Sequence, residues 1–285
     1  VTDKFRVNKT SKLLAFLNYR LKGWSKNNIK QRLQTGCVVV NGEATAQHDL
    51  MLAVDDQVEV LAKGSGRLIS RGAGQLEILF ADDDIVVINK PAGLLSVASA
   101  GENEKHALEM LRQQLSTKRN KVKLWPAHRL DRETSGVLLF ATSKQVRERI
   151  SAAWAKSQKT YLAIVEGIPQ EQQATIDQPL RSDAKGFRTH VGEHPDAKRA
   201  VTHYKTVRTT KDRALLEVNI ETGRQHQIRA HMKWLKHPIV GDKRYGQTDI
   251  RLGLHALRLE LAHPTSGQHL SFESAPPTEF EQLLG

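Results

Sequence analysis

The chain has 285 residues, 39% hydrophobic and 26% charged, which is the composition of a globular protein and not of a disordered one. Its apolar runs, such as Ile85-Val86-Val87-Ile88, are far too short to span a bilayer, and the single cysteine, Cys37, excludes an intramolecular disulfide and speaks against a cysteine-based zinc site. The formal charge of +12 points to an anionic partner, with nucleic acid ahead of an acidic membrane surface, although excess charge alone also serves solubility.

The charge is uneven. Residues 1–75 carry 12 Lys and Arg against 6 Asp and Glu, so this quarter is the more cationic per residue. The first residues lack the apolar core and small-residue cleavage site of a secretion signal, and the expected location is the cytoplasm.

In chain order, residues 11–21 read as a short helix with Leu13, Leu14, Phe16, Leu17 and Leu21 on one face. Ser25 is placed to cap a second helix through Ile29 and Leu33 that stops at Gly36. Residues 37–40 and 57–60 read as strands, the first closing on the Asn41-Gly42 turn signal. Residues 62–75 are rich in glycine and bases and have a linker composition.

Beyond it, strands are expected at 76–80, 85–88, 136–141, 161–165, 200–207, 214–220, 257–261 and 269–272, and helices at 106–115, 144–155 and 225–235. Strands outnumber helices without alternating with them. The expectation is an α+β fold with a mixed, largely antiparallel sheet and flanking helices, not a doubly wound parallel sheet. The division is 1–61, a linker at 62–75, and a larger domain at 76–285.

In the front module Lys26 and Lys30, four residues apart, share a helix face opposite Ile29 and Leu33, a geometry suited to a phosphate backbone. The run from Ser25 through Lys26, Lys30, Arg32 and Gly36 to Val38-Val39-Val40-Asn41-Gly42, with a later acidic strand entry at Val54-Asp55-Asp56, resembles the RNA-binding domain first described in ribosomal small-subunit protein four. The resemblance covers residues 10–61 and implies a small α/β RNA-binding module in which Lys26, Lys30 and Arg32 contact RNA. Asp55 stands where that family usually has glycine.

The most informative stretch runs Trp125-Pro126-Ala127-His128-Arg129-Leu130-Asp131-Arg132-Glu133-Thr134-Ser135-Gly136 into an apolar strand. It places Asp131 in a loop delivered by a rigid strand, a common way to present a nucleophile or base, although an Asp in a turn often only hydrogen-bonds its own loop. Arg129 and Arg132 bracket the carboxylate, favour its charged form and are themselves free to meet phosphates.

The pattern His-Arg-Leu-Asp-x-x-Thr-Ser-Gly resembles the signature of the RluA-type pseudouridine synthases. Two further segments resemble that family's other motifs, Lys159-Thr160-Tyr161-Leu162 and Thr222-Gly223-Arg224-Gln225-His226-Gln227-Ile228-Arg229-Ala230-His231. The resemblance spans residues 76–285. It implies isomerisation of uridine to pseudouridine in RNA, with Asp131, Tyr161 and Arg229 as the catalytic set and Arg229 paired to Asp131.

Tyr161 would stack on the base and assist proton removal, Arg129 would fill the space the flipped base leaves, and His128, Arg132 and Arg224 would line the substrate. Asp131 would act as nucleophile toward the sugar or as the base removing a ribose proton. No group enters from outside, so neither cofactor nor metal is expected. His226 and His231, five apart, do not share a helix face and are expected to hydrogen-bond within the protein.

The expected substrate is large-subunit ribosomal RNA, with transfer RNA behind it, and the expected state is a monomer that does not meet membranes. Two other readings compete: a non-catalytic RNA-binding or ribosome assembly factor, and a glycosidase. The second needs two carboxylates flanking the bond, and Glu133 is the only local candidate beside Asp131.

Overall fold

A computed structural model describes residues 3–34, 36–45, 47–61, 75–98, 104–117, 121–183 and 188–285. The expected linker, apart from Gln75, lies outside these residues. The chain forms two compact units, one of residues 1–89, 107–127 and 139–147, the other of residues 90–106, 128–138 and 148–285.

The first unit begins with β1 (Asp3–Arg6), β2 (Ser11–Lys12), α1 (Leu13–Arg20), α2 (Lys26–Gln34), β3 (Val38–Val40), β4 (Glu43–Ala44), β5 (Met51–Leu52) and β6 (Gln57–Val60). Strands pair in the order β1-β6-β3-β4, while β2 pairs with β5. Leu13, Phe16 and Leu17 of α1 and Ile29 and Leu33 of α2 are buried with Val38, Val58 and Val60 in one apolar cluster.

Ser25 starts α2 as expected, since its Oγ accepts the Asn28 backbone N–H at 3.2 Å. Asn41 and Gly42, both with positive φ, turn β3 into β4. Asp55 has φ 77°, the left-handed geometry that glycine adopts most easily, and its carboxylate meets Arg6 at 3.0 Å. The substitution therefore keeps the turn.

Next come β7 (Glu77–Ala81), β8 (Ile85–Lys90), α3 (Ala107–Leu115), β9 (Trp125–Pro126), β10 (Ser135–Ala141) and α4 (Lys144–Ala153). The acidic turn between β7 and β8 is held by Asp82, whose Oδ1 accepts the N–H groups of Asp84 and Ile85, both at 2.8 Å. All seven residues of β10 are buried, which explains its unbroken apolar run. β9 and the far end of β10 form a hairpin, Phe140 opposite Pro126 and Ala141 opposite Trp125.

The remaining elements are β11 (Gln158–Glu166), β12 (Gln173–Asp177), β13 (Leu180–Ser182), β14 (Thr189–Val191), β15 (Val201–Thr209), β16 (Arg213–Ile220), α5 (Gln227–Trp234), β17 (Leu254–Ala262), β18 (His269–Glu273) and α6 (Thr278–Gln282). In the second unit the strand order runs β12-β15-β16-β11-β17 and on to the first residues of β10, with β18 on β17 and β13 paired to β14. Every one of these pairings is antiparallel except β10 with β17. The mixed, largely antiparallel sheet expected from the strand-rich pattern is present. Its core gathers Ala163, Val165, Leu216 and Val218 with Ile228 and Met232 of α5.

No helix among the described residues is long and apolar enough to cross a membrane.

Candidate active site

Asp131 lies in the loop that joins β9 to β10. Three contacts shape that loop. Ser96, buried, donates its hydroxyl to the Leu130 carbonyl at 2.8 Å and accepts the Leu130 N–H at 3.0 Å, so the residue before Asp131 is held on both sides. Lys90, fully buried, donates to the carbonyls of Pro91, Leu94 and Arg132 at 2.9, 2.7 and 3.0 Å, which fixes the residue after it. The Thr134 N–H closes the turn on the Asp131 carbonyl at 3.2 Å.

Burial pushes the Lys90 ammonium down to about 7, opposed by the charges of Asp131 and Glu133. Three carbonyl acceptors around one nitrogen require three N–H donors, which only the ammonium supplies. The geometry therefore favours the charged form.

β10 leaves the loop through Gly136, which has φ 113°, and a Cβ there would lie 2.1 Å from the Ala256 carbonyl oxygen of β17. Only glycine lets the two strands approach this closely. Beside it Ser135 sits opposite His255. His255 Nε2 faces the Ser274 carbonyl at 2.8 Å and must carry its proton there, so Nδ1 accepts from Ser135 Oγ at 2.8 Å, which in turn accepts from Arg251 at 2.7 Å. Burial first, and Arg251 second, pull His255 down to about 4 and leave it neutral.

Arg229 projects from α5 and is buried. It donates Nη1–H to Asp131 Oδ2 at 2.9 Å, while Nε and Nη2 take the two oxygens of Asp242 at 2.7 and 2.9 Å. Asp242 is fully buried, and its Oδ1 also accepts the N–H groups of Arg244 and Tyr245 at 3.0 and 3.2 Å. Burial opposes its charge, but Arg229 and these N–H donors outweigh that and hold its carboxyl below the usual carboxylate range. Burial likewise opposes charge on Arg229, and the two carboxylates outweigh it and push its pKa upward.

The segment entering α5 is pinned by Gln227, whose Nε2 donates to Val201 O and Thr202 Oγ1 at 2.9 and 3.0 Å and whose Oε1 accepts from Thr222 Oγ1 and Arg224 N–H at 2.8 and 3.1 Å. All four hydrogen-bonding positions of the amide are filled. His231 makes contacts of 2.8 Å to Thr202 Oγ1 and 3.0 Å to Gln178 O.

Tyr161 stands on β11 opposite Ala256, which is itself opposite Gly136, and the β11–β17 register shifts between Thr160 and Tyr161. A bulge of this kind re-aims a side chain. Burial first, then the negative charge of Asp131, push the Tyr161 hydroxyl upward, so it keeps its proton. Asp131 is thus paired with Arg229, and its charge reaches Tyr161.

The other expected residues are spread around this set. The His128 ring stacks on Trp154, with centroids 4.9 Å apart, and the Lys159 ammonium stands 5.6 Å from the same indole. Burial, then Lys159, lower His128 to about 4. Arg129 is exposed, and Arg132 pairs with Glu104. Arg224 is exposed and donates Nε–H to the Arg199 carbonyl at 3.1 Å. Glu133 is exposed.

In the N-terminal module Lys26 and Lys30 are exposed, whereas Arg32 is half-buried. Arg32 donates to the Leu61 carbonyl and stands 5.0 Å over the Trp24 ring. Its guanidinium is engaged with the module's own chain, unlike the two lysines.

Four residues that the sequence motifs did not assign to the site complete it, namely Asp242, Lys90, Ser96 and Tyr245. Asp242 belongs to the Gly-Asp-x-x-Tyr-Gly stretch and Lys90 to Asn-Lys-Pro, which also fit the resembled family's patterns but whose physical reading is mostly strand and turn architecture. Ser96 carried no signal. The Tyr245 ring lies 5.4 Å from the Arg229 guanidinium carbon, and its hydroxyl accepts the Thr189 N–H at 2.7 Å.

The chain is similar to known proteins. Residues 84–234 fit the model of the family described as RNA pseudouridylate synthase. The chain is 31% identical over 286 residues to "Uncharacterized RNA pseudouridine synthase YlyB" of Bacillus subtilis, covering 97% of this chain and 94% of that one. It is 31% identical over 283 residues to "Ribosomal large subunit pseudouridine synthase D" of Vibrio cholerae, covering 91% and 86%.

Among solved structures, "Human RNA Pseudouridylate Synthase Domain Containing 4" superposes with a TM-score of 0.60 at 26% identity, covering 73% of this chain and 91% of that one. The mixed sheet is thus a pseudouridine synthase fold, and the chain belongs to the RNA pseudouridylate synthase family, whose members are isomerases that modify RNA. The stretch matched to the family model begins at residue 84, so residues 3–61 lie outside it.

Proposed function

We propose that this pseudouridine synthase acts on large-subunit ribosomal RNA and that Asp131 is its catalytic carboxylate. The observation that carries the assignment is the ion pair of Arg229 with Asp131 at 2.9 Å beside Tyr161. The substrate reading is supported by the Vibrio cholerae relative, whose name gives a large-subunit ribosomal substrate and which matches 91% of this chain.

The reaction breaks the N1–C1′ bond of uridine, turns the uracil, and joins C5 to C1′, C5 losing a proton and N1 taking one up from solvent, so that the mass is unchanged. Asp131 serves the first half, through attack on C1′ or removal of the C2′ proton. Arg229 holds its carboxylate in orientation. The Tyr161 ring offers a stacking face, and its hydroxyl, which feels the Asp131 charge, relays the C5 proton, passing its own to the Asp131 carboxylate as it takes that one up. Arg129, exposed next to Asp131, takes the place of the flipped base, which leaves the stack at a cost of a few kcal/mol.

Residues 1–61 form the RNA-binding module, with Lys26 and Lys30 on the phosphate backbone. A glycosidase would need a protonated partner for Asp131. Asp242 is kept ionised by Arg229 and does not supply one.

The test is to delete the gene and map pseudouridines in total RNA by carbodiimide-blocked primer extension, then complement with wild type and with Asp131→Asn. Loss of a site in large-subunit RNA, restored by wild type and not by the Asn variant, is expected. A lost site confined to transfer RNA would move the substrate, and full restoration by Asp131→Asn would remove Asp131 from the chemistry.

A further inference from the structure

Both contacts to the Asp131 carboxylate fall on the same oxygen. Arg229 Nη1 lies 2.9 Å from Oδ2, and His226 Nε2 lies 3.9 Å from that Oδ2. Among the described residues none is found on Oδ1. His226 is buried and has φ 52°, the left-handed region, as the last residue before α5. A non-glycine residue persists in that conformation when its surroundings over-determine it, and such residues cluster at functional sites.

The His226 ring is held by Tyr245. The Tyr245 hydroxyl accepts the Thr189 N–H at 2.7 Å and lies 3.1 Å from His226 Nδ1. Burial pushes the Tyr245 hydroxyl upward, so it retains its proton and has it to give to Nδ1. With Nδ1 accepting, the proton of the neutral ring sits on Nε2, the nitrogen that faces Asp131. The opposite tautomer would set the Nε2 lone pair against a carboxylate oxygen. Burial above all, then the charges of Arg229 and Arg244, keep His226 from protonating, against the pull of Asp131 and Asp242.

We propose that His226 is a positioning residue for Asp131, the chain from Thr189 N–H through Tyr245 to the imidazole presenting Nε2–H to Oδ2. It rests on Asp131 being the catalytic carboxylate. Arg229 and His226 together confine both donors to Oδ2 and leave Oδ1 as the oxygen that meets the ribose. The separation of 3.9 Å is longer than a hydrogen bond, and catalytic contacts of that length tighten when substrate binds.

Two measurements decide it. Single-turnover kinetics on unmodified large-subunit ribosomal RNA transcribed in vitro compare wild type with His226→Leu, His226→Gln and Asp131→Asn. Loss of the Nε2–H donor in His226→Leu is expected to lower the rate at saturating RNA on the order of 10- to 100-fold, with the RNA concentration at half-maximal rate unchanged. His226→Gln, whose side-chain amide restores an N–H donor, is expected to recover most of it. Melting temperatures separate this from unfolding.

Independently, nitrogen-15 spectra of histidine-labelled wild-type protein read the tautomer of the imidazole signal that shifts in Asp131→Asn. An Nε2–H ring is expected. An Nδ1–H ring, or a His226→Leu enzyme with the wild-type rate, overturns the proposal, and the spectrum decides it should the Leu variant fail to fold. A wild type that depends on Asp131 but not on His226 overturns this inference alone, whereas an Asp131→Asn variant with full activity overturns the function reading as well.

Discussion

Arg229 grips Asp242 with two nitrogens, at 2.7 and 2.9 Å, and reaches Asp131 with the third at 2.9 Å. A single guanidinium thus ties a half-buried carboxylate to a fully buried one. The fork geometry fixes the plane of the guanidinium, and through it the direction from which Asp131 is held. Lysine, with one nitrogen, could not serve both carboxylates in this way.

Asp242→Asn should therefore damage stability and activity together. It leaves the buried Arg229 charge without its main partner, and breaking a buried pair from one side costs about 3–5 kcal/mol. Urea unfolding reads the loss. The folded-state pKa of Asp242 lies below its ordinary 3.8, so its contribution is fully present above that value and disappears as pH falls through the lower one. Wild type should lose this share of stability only below about pH 4, and the Asn variant should show a flatter acid limb there.

The motif residues were legible because their spacing is dictated by chemistry, and the strands of the core because their apolar runs are long. What stayed hidden has physical reasons. Residues 173–177 form a strand in which only Ile176 is buried, so no alternation marks it. Strand β17 begins at Leu254 and not at 257, because His255, fully buried, breaks the apolar run while satisfying both ring nitrogens inside. In the same way β11 starts at Gln158, ahead of the expected 161, since Lys159 is buried with its ammonium over Trp154. Asp242 was readable as a turn residue, but its partner lies 13 residues away on a helix whose packing no pattern announces.

Gly136→Ala should unfold the neighbourhood of the catalytic loop. The added Cβ would meet the Ala256 carbonyl oxygen at 2.1 Å, a backbone atom that cannot swing aside, and φ 113° is itself strained for alanine. A loss of roughly 3 kcal/mol or more is expected, at the upper end of overpacking effects. Gly42→Ala is the control. It also has positive φ, 90°, but nothing lies within 4 Å of its Cβ position, so only the backbone strain of about 1 kcal/mol remains. Thermal unfolding of the two variants should rank them clearly.

His255 makes stability depend on mildly acidic pH. Its folded-state pKa is about 4 against an ordinary 6.5, so between these values the unfolded chain binds the extra proton and the folded one does not. Its stabilising contribution is complete above 6.5 and is lost as pH falls toward 4, to a total of about 3 kcal/mol. Urea midpoints measured at pH 7.5 and pH 5 should differ accordingly. His255→Gln, which cannot titrate, should lower stability at pH 7.5 and remove this part of the pH dependence.

In the N-terminal module the two exposed lysines and the half-buried arginine should separate cleanly. Replacing Lys26 and Lys30 together by Ala removes two charges from one helix face without touching the apolar cluster of Ile29 and Leu33. RNA affinity should fall, and the slope of log K against log salt should shrink by about 0.7–0.9 for each lysine that meets a phosphate. The melting temperature should stay. Arg32→Ala should do the reverse. It removes the hydrogen bond to the Leu61 carbonyl and the packing on Trp24, so the module loses about 1–2 kcal/mol while the salt slope is retained. Filter binding across a salt series, with unfolding curves of the same preparations, checks both. An Arg32→Ala protein of unchanged stability and reduced slope would place that guanidinium on the RNA and not on its own module.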